Sequence, residues 1–175
     1  MKKRIPLSFI LGGGKGERLY PLTKHRAKPA VPFGGSYRVI DFVLSNHYHS
    51  GIRKLLILTQ YQSESLHTHL RRGWYGRFGL GEDQFIRTLP AMQTHKSMSG
   101  EGWYEGTANA ISSNKHYIER EKPNIVNTFG ADHIYLIDIS KKNDFHLEKD
   151  ADLTISAIPI EKELAANNYG VLVVK

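Results

Sequence analysis

Short apolar runs separated by amphipathic segments constrain the fold of this chain more than any other feature. Residues 7–11, 54–59 and 124–129 have the length and composition of buried strands. Helices are expected at 37–50, 63–71, 107–121 (with Thr107 as its cap) and 140–149, and further strands at 85–89, 153–158 and 170–174. The glycine-rich residues 73–82 and residues 90–105 are expected to be loops. This alternation predicts an α/β fold, with a Rossmann-like, mostly parallel sheet and helices on both faces.

Length and composition place the chain among ordinary globular proteins. Its 175 residues suit one compact domain, and it contains no cysteine, which excludes disulfides and cysteine-ligated metals. No apolar run is long enough to span a membrane, so no membrane association is expected. The apolar stretch near the amino terminus is too short for a secretory signal, because charge returns at Lys15. We therefore expect a cytoplasmic protein.

A formal net charge of +7 raises the possibility of a nucleic-acid partner. Trp74 and Tyr75 lie within RRGWYGR, where aromatic and basic residues alternate as in grooves that bind single strands. The basic residues are nevertheless spread over the whole chain, and small anionic substrates also require positive potential. We predict no nucleic-acid partner, with a basic RNA-binding module as the alternative from another functional class.

Nine histidines invite a test for a metal site. His47 and His49, like His67 and His69, are two residues apart on predicted helices and therefore point in different directions. We interpret both pairs as surface residues, interpret His133 as structural, and predict no zinc.

The stretch LGGGKGERLYPLTKHRAKP, residues 11–29, has the composition of a phosphate-binding loop. It lacks the Gly-Lys-Ser/Thr ending of a Walker A loop, and its glycine spacing does not fit a dinucleotide fingerprint. Gly12 to Gly14 nevertheless allow close approach of the backbone to a ligand, and Arg18 and Lys28 can reach phosphate oxygens. The simpler alternative is a tight glycine turn with solvated charges.

Two segments follow predicted parallel strands, where open α/β sheets bind their ligands. The glycine loop follows the first strand, and GADHIY follows Phe129. Asp132 in the second segment is a candidate ligand-binding carboxylate, although an isolated aspartate after a strand is more often a cap or turn residue.

The whole series of motifs resembles one enzyme family. LGGGKGERLYPLTKHRAKPAVPFGG resembles the signature G-G-x-G-x-R-L-x-P-L-T…K-P of sugar-phosphate nucleotidyltransferases. YRVIDFVLSN, SGI, TQYQ, RGW, WYEGTANA and DHIY follow in the order found in glucose-1-phosphate adenylyltransferases, from residue 7 to about 173. The resemblance implies a GT-A-like nucleotidyltransferase domain, of which residues 1–175 form the N-terminal portion, incomplete at its C-terminal end.

The resemblance implies transfer of the adenylyl group of ATP to α-D-glucose 1-phosphate, which gives ADP-glucose and pyrophosphate for glycogen or starch synthesis. It also implies Mg²⁺ as the cofactor. It implies catalytic roles for Arg18, Lys28 and Asp132, and Asp132 would also bind the metal. The implied nucleotide-binding residues are Leu11, Gly12, Gly13, Gly14, Gly16, Tyr104, Gly106 and Thr107. The implied sugar-phosphate residues are Tyr169 and Gly170, and Arg26 and Arg38 would bind an anionic effector.

The sequence departs from the family pattern in three ways. Ala131 stands where the family has glycine before the metal aspartate, and neutral Asn109 replaces a carboxylate. The family's sugar-phosphate lysine, second metal aspartate and C-terminal β-helix domain would lie beyond Lys175, so we expect the 175-residue chain to bind nucleotide with little turnover. The alternative within the family is a catalytically weak or regulatory paralogue or fragment. Complete members form homo-oligomers.

Overall fold

The computed structural model describes residues 5–79, 81, 83–91, 103–165 and 170–172. The chain divides into two compact units, Met1–Ser140 and Lys141–Lys175. Among the described residues, no helix combines the length and the apolar character needed to cross a bilayer.

The described strands are, in chain order, β1 (Pro6–Gly12), β2 (Pro32–Phe33), β3 (Tyr37–Arg38), β4 (Lys54–Thr59), β5 (Phe85–Pro90) and β6 (Ile125–Gly130). The described helices are α1 (Val39–His49), α2 (Glu64–Gly73), α3 (Tyr75–Phe78), α4 (Thr107–Ser112), α5 (Lys115–Glu121), α6 (Ile139–Glu148) and α7 (Lys162–Ala165). Two 3₁₀ turns, Glu17–Leu19 and Lys28–Ala30, lie between β1 and β2.

The main sheet has the strand order β5-β4-β1-β6, and every pairing in it is parallel. From β1 the chain moves outward to β4 and β5, then returns to the other side of β1 to form β6. The order of strands therefore reverses between β1 and β6, and ligands of such sheets bind at the carboxyl ends next to this reversal. β2 and β3 form a separate antiparallel pair.

Helices cover both faces of the sheet, which confirms the predicted fold class. On one face Ile10 and Ile57 belong to a buried cluster that includes residues of α1, α2 and α3. On the other face Phe9 and Leu56 belong to a cluster with Ala110 of α4, against which residues of α5 also pack. All six residues of β4 are buried, which explains its continuous apolar run.

Two of the predicted segments differ in detail from the structure. The helix expected at 107–121 is divided into α4 and α5, and the prediction that Thr107 caps it is wrong, because Gly106 is the N-cap and makes no side-chain bond. Between the two helices, Asn114 donates its side-chain amide to the carbonyl of Ala110, which satisfies a helix-end acceptor locally. Residues 73–82 are not entirely loop, since α3 forms there around the fully buried Phe78.

The two strands expected near the carboxyl end are not found among the described residues. Residues 153–158 are irregular, and Leu153 is 75% exposed. Residues 170–172 are also irregular, whereas 173 and 174 lie outside the described residues. An alternating apolar pattern needs a neighbouring strand to supply backbone hydrogen bonds, and the described residues pair no strand with either segment.

An ionic contact ties the amino end of β4 to the end of α5. Lys54 pairs with Glu121 at 3.2 Å and also contacts Asp83. Burial alone would lower the pKa of Lys54, but its hydrogen bonds to the two carboxylates outweigh burial and raise it. Burial alone would raise the pKa of Glu121, but hydrogen bonds from Lys54 and Arg120 lower it. Each partner therefore stabilises the charged form of the other.

Candidate functional site

The glycine loop leaves β1 at the reversal of strand order, and Gly16 fixes its conformation. Gly16 has a φ of +70°, in the left-handed region that favours glycine. A Cβ on Gly16 would lie 2.9 Å from Cγ2 of Thr23 and 3.0 Å from Cβ of Lys28. The Thr23 hydroxyl also donates to the Gly16 carbonyl at 2.9 Å. Only glycine fits here, and its absent side chain lets the loop pass directly over Lys28.

Lys28 and Asp132 contact each other at the carboxyl-terminal end of the parallel sheet. Lys28 Nζ donates to Asp132 Oδ2 at 2.7 Å, and the side chains are 36% and 34% exposed. Lys28 begins a 3₁₀ turn whose other residues, Pro29 and Ala30, are buried, so its backbone is anchored in the core. The structure thus joins two predicted site residues that are 104 positions apart.

The loops after β1 and β6 are also joined through the backbone. The Ala131 N–H donates to the Leu11 carbonyl at 3.0 Å, which extends the β1–β6 pairing to the edge of the site. Ala131 is fully buried in the core cluster, and a Cβ on Gly12 would lie 3.6 Å from the Ala131 methyl carbon. A Cβ on Gly130 would lie 3.0 Å from Asp132 Oδ1, so glycine one position earlier leaves room for the carboxylate.

Gln60 is a site residue that the sequence interpretation missed. It follows β4 directly, and its Oε1 accepts the Tyr104 N–H at 3.1 Å while its Nε2 donates to the Tyr104 carbonyl at 3.5 Å. A Cβ on Gly13 would lie 3.3 Å from Cβ of Gln60. Gln60 therefore links the glycine loop to the WYEGTANA segment. Its position in the sequence could have identified it, because it is a polar residue at the carboxyl end of a central strand.

Tyr104 is half-buried, and its hydroxyl is engaged within the protein. It accepts a hydrogen bond from Asn114 at 3.0 Å and makes a longer bond, 3.4 Å, to the Pro90 carbonyl. Burial raises the pKa of the Tyr104 hydroxyl, and the bond from Asn114 partly offsets this effect. The Tyr104 main chain, held by Gln60, is thus the part of this residue that is fixed at the site.

The segment after Tyr104 leads into α4. Gly106 precedes the helix and Thr107 is its exposed first residue. Asn109 Oδ1 accepts the Glu105 N–H at 3.3 Å. A neutral amide oxygen is sufficient for that contact, so the missing carboxylate at this position does not disrupt the start of the helix.

Two aromatic rings stack beside Gln60. The rings of Tyr61 and Trp103 are 4.7 Å apart and inclined by 11°, and Lys15 Nζ lies 5.6 Å from the centre of the Tyr61 ring. Lys15 belongs to the glycine loop, so this cation–π contact is a second link between that loop and the segments after β4 and around Trp103.

The remaining predicted site residues are less tightly placed. Gly14 and Arg18 are exposed, and Arg26 is half-buried. Arg38 donates from its guanidinium to the Ser65 hydroxyl at 2.6 Å and the Ser65 carbonyl at 2.9 Å. Gly170 lies in the second unit, and Tyr169 lies outside the described residues.

The aromatic residues of RRGWYGR do not form an open stacking surface. Trp74 Nε1 donates to Asp41 Oδ1 at 2.7 Å, and His69 Nε2 contacts the same oxygen at 2.6 Å. Trp74 and Tyr75 are partly buried and pack against the core. These contacts give both residues structural roles, which weakens one of the two observations behind the RNA-binding alternative, the other being the net charge of +7.

The interpretation of His47 as a surface residue is wrong. Its side chain is fully buried, whereas His49 is exposed. His67 and His69 are half-buried and bond Thr59 and Asp41 respectively. Desolvation lowers the pKa of His47 to about 4, and its bond to the Val43 carbonyl opposes this only in part.

Asp132 offers the type of ligand that Mg²⁺ uses in proteins. Within the described ranges, no group of three or more histidine, aspartate or glutamate side chains comes together to hold a metal. Asp132 offers a partly exposed carboxylate, and Mg²⁺ usually takes one or two protein carboxylates with phosphate oxygens and waters. The chemistry of the Asp132 side chain therefore fits a ligand of Mg²⁺.

Comparison with known proteins identifies the family. The profile of the family described as "Nucleotidyl transferase" matches residues 7–175. This chain belongs to the nucleotidyl transferase family. The match begins within β1 and spans the glycine loop, Lys28 and Asp132.

Individual relatives of this nucleotidyl transferase chain carry a more specific name. Glucose-1-phosphate adenylyltransferase of Anaeromyxobacter sp. (strain Fw109-5) is 48% identical over 166 residues, covering 95% of this chain and 39% of the relative. The protein of the same name from Thermus caldophilus is 47% identical over 173 residues, covering 98% of this chain and 41% of the relative. That from Hydrogenovibrio crunogenus is 48% identical over 170 residues, with coverages of 97% and 39%. The chain thus spans about two fifths of the length of these relatives.

Proposed function

We propose that this chain carries the nucleotide-binding part of an enzyme that transfers the adenylyl group of ATP to α-D-glucose 1-phosphate. The single observation that supports this most is the Lys28–Asp132 pair beside the glycine loop at the reversal of strand order. The names of the relatives support the choice of substrates. In this proposal residues 1–175 are the N-terminal portion of a nucleotidyltransferase domain.

The proposed reaction is an in-line displacement at phosphorus. A phosphate oxygen of glucose 1-phosphate forms a bond to the α-phosphorus of ATP, and the bond from that phosphorus to the bridging oxygen breaks to release pyrophosphate. The attacking phosphate is already an anion, so the protein does not need to supply a nucleophile or remove a proton. Catalysis then depends on positioning and on neutralisation of negative charge. Bound Mg²⁺ would contribute to this neutralisation at the phosphate oxygens.

In this proposal the ion pair between Lys28 and Asp132 rearranges when Mg-ATP binds. Lys28 neutralises the charge of Asp132 within the pair. An incoming triphosphate offers Lys28 several charged oxygens, and Asp132 then becomes free to contact Mg²⁺. Both side chains are about one-third exposed, so this exchange requires side-chain movement alone. The glycine loop supplies main-chain N–H groups, and exposed Arg18 supplies a planar fork of donors for phosphate.

Calorimetric titration with Mg-ATP tests the nucleotide site. Arg18→Ala is expected to weaken binding by about 1.5–3 kcal/mol, the range for hydrogen bonds to a charged group. Arg72→Ala is the matched control, because Arg72 is an exposed arginine on α2 outside the proposed site. Equal affinity of Arg18→Ala and wild type, with the fold intact by circular dichroism, would refute the phosphate assignment.

Asp132 and Lys28 are tested in the longer protein that carries this chain. Asp132→Asn should abolish most pyrophosphate release from ATP and glucose 1-phosphate, and Lys28→Met should weaken Mg-ATP binding. Asp152→Asn and Lys24→Met are matched controls, since both residues are exposed and outside the proposed site. Turnover that survives Asp132→Asn would contradict the role of that carboxylate.

The same titrations separate the alternatives. A regulatory paralogue would bind Mg-ATP with normal affinity but would release no pyrophosphate even in the longer protein. An RNA-binding module would bind single strands with strong salt dependence and without competition from ATP.

The finer parts of the proposal rest on the family resemblance. We propose Mg²⁺ as the metal, a homo-oligomeric cytoplasmic enzyme, and an anionic metabolite as effector near Arg26 and Arg38. An anion at Arg38 would compete with the two bonds that its guanidinium makes to Ser65, so effector binding is expected to loosen the contact between β3 and α2.

A further inference from the structure

Three buried side chains each carry a polar atom that has no hydrogen-bond partner among the described residues: Ser8 Oγ, His47 Nε2 and Asn127 Nδ2. Ser8 and His47 are fully buried and Asn127 is 4% exposed. A buried polar atom without a partner costs about 1–3 kcal/mol, so native proteins rarely leave one unsatisfied. Three of them call for a physical explanation.

The three side chains share one face of the sheet. Ser8 and Asn127 are register partners in the β1–β6 pairing, and adjacent strands lie about 4.8 Å apart. Two residues further along each strand, Ile10 and Phe129 form the next pair and belong to the core cluster beneath α1. The His47 ring, which projects from α1, packs edge-on against Phe129 with the ring centres 4.9 Å apart. The polar atoms therefore belong to one buried region between α1, β1 and β6.

The rest of this row of the sheet is apolar. Leu55 of β4 is the register partner of Ser8 on its other side, and Ile86 of β5 pairs with Leu55. Both belong to the same core cluster. The row thus changes from two apolar residues to Ser8 and Asn127, and His47 packs against Phe129, two residues further along β6. The polar residues are concentrated in one region rather than scattered through the core.

The side-chain amide of Asn46, which is also buried near this region, has hydrogen-bond partners. Asn46 precedes His47 on α1 and is 5% exposed. Its Nδ2 donates to the Tyr135 carbonyl at 2.9 Å, and its Oδ1 accepts the Ile137 N–H at 3.4 Å. The segment after β6 thus gives both polar atoms of the Asn46 side chain a partner, whereas Asn127 Nδ2 has no protein partner in the described ranges.

The three free atoms have complementary hydrogen-bonding roles. His47 Nδ1 lies 2.8 Å from the Val43 carbonyl, which can only accept, so Nδ1 carries the proton. Complete burial keeps the ring neutral by lowering its pKa to about 4, and Nε2 is therefore an acceptor. Asn127 Nδ2 is a donor, and the Ser8 hydroxyl can do either. An anion would face the bare lone pair of His47, and a cation would face the N–H of Asn127. A neutral ligand with both donors and acceptors satisfies all three.

We propose that Ser8, His47 and Asn127 bind one internal water molecule. The water accepts a hydrogen bond from Asn127 Nδ2 and donates to His47 Nε2 and to Ser8 Oγ. Three bonds is the usual number for a buried water in a protein. This water connects α1 to β1 and β6, and β6 leads from Asn127 toward Asp132.

Nuclear magnetic resonance tests the proposal on the wild-type protein labelled with ¹⁵N-histidine and ¹⁵N-asparagine. We expect a magnetisation-transfer peak from a long-lived water to Hε1 of His47 and to the side-chain amide protons of Asn127. We also expect the Nε2 resonance of an unprotonated, hydrogen-bonded acceptor. Absence of any water peak at both groups would overturn the proposal, because exchangeable protons of a trapped water would lie close to both.

Substitution provides a second, independent readout. Asn127→Leu removes the donor and is expected to abolish the water peak at His47. Thr128→Val is the matched control on the same strand, because Thr128 is exposed on the opposite face, and it should leave the peak unchanged. Persistence of the peak in folded Asn127→Leu would contradict the assignment. If Asn127→Leu does not fold, the wild-type spectrum still tests the water site. In addition, oxygen-17 relaxation dispersion of the folded Ser8→Ala variant should show one long-lived water fewer than wild type.

Discussion

Burial of His47 should make the folded state sensitive to mild acid. The pKa of this imidazole is about 4 in the folded protein and 6.5 in the unfolded chain. Between these values the unfolded chain binds a proton that the folded protein excludes, so stability falls as the pH is lowered from 7 to 4 and levels off below 4. Each tenfold difference in proton affinity is worth about 1.4 kcal/mol, which gives a total loss of about 3 kcal/mol. That is a large part of the free energy of unfolding of a typical domain.

The assay is urea unfolding followed by circular dichroism at a series of pH values across this range. His47→Gln removes the titrating group, and His49→Gln is the matched control because His49 is exposed on the same helix. Burial and the nearby Arg71 also lower the pKa of His67, which adds a background of the same sign to every curve. The informative quantity is therefore the difference between variants. We expect the loss of stability to be about 3 kcal/mol smaller in His47→Gln than in wild type.

Two results would refute this reasoning. One is a pair of parallel stability curves for wild type and His47→Gln. The other is direct titration of His47 near its ordinary pKa in the folded protein. Either result would mean that bulk solvent reaches the imidazole or that the charged form of the imidazole gains a partner, and it would also contradict the neutral acceptor on which the proposed water site depends.

Three further expectations concern the loop, the ionic contact and the base. Gly16→Ala should destabilise the fold by about 1–3 kcal/mol in thermal unfolding, because residue 16 has a positive φ and close contacts. Gly14→Ala should cost much less, because no described atom lies within 4 Å of a Cβ there. Equal effects of the two substitutions would argue against the loop geometry. Glu121→Gln should lower the free energy of unfolding by about 1–3 kcal/mol near neutral pH, because it removes a charged partner of Lys54. The difference in stability from wild type should shrink as the pH falls from 4.5 through the lowered pKa of Glu121. Glu119 is exposed, so Glu119→Gln should change stability little, and an equal loss in that variant would contradict the assignment. In competition for the Mg-nucleotide site, ATP should displace a labelled nucleotide more effectively than UTP, CTP or dTTP, and equal displacement by all four would remove the support for adenine.

Much of the fold was predictable because strand and helix periods differ. The apolar run at 54–59 corresponds to β4 without change, and the α1 positions Val39, Ile40, Val43 and Leu44 are all buried as the helical pattern indicates. The strand predicted at 153–158 is absent from the described structure for a physical reason. An apolar alternation identifies a segment that can form a strand, but the strand also needs a neighbour with free backbone groups, which local pattern does not reveal.

The site was predictable where backbone position determines it. Lys28 and Asp132 follow segments at the same edge of a parallel sheet, so their approach follows from topology. Gln60 was missed because a side-chain amide has no spacing signature, and only strand register brings it to Tyr104. His47 had an overlooked signal: it lies four residues after Val43, on the apolar face of α1, so helical periodicity places it inside.

The position of β1 at the centre of the sheet also has a consequence for the order of folding. β1, β4 and β5 can pair once the chain up to Pro90 is available, whereas the second neighbour of β1 begins only at Ile125. Contacts between distant segments form slowly, because loop-closure entropy must be overcome before they are gained. During synthesis, therefore, β1 has one exposed hydrogen-bonding edge until β6 arrives, and this edge is open to chaperones and to mispairing. The contact between Lys28 and Asp132, across 104 residues, forms only after that edge is covered, so the proposed nucleotide site should assemble later than the pairing of β1 with β4 and β5.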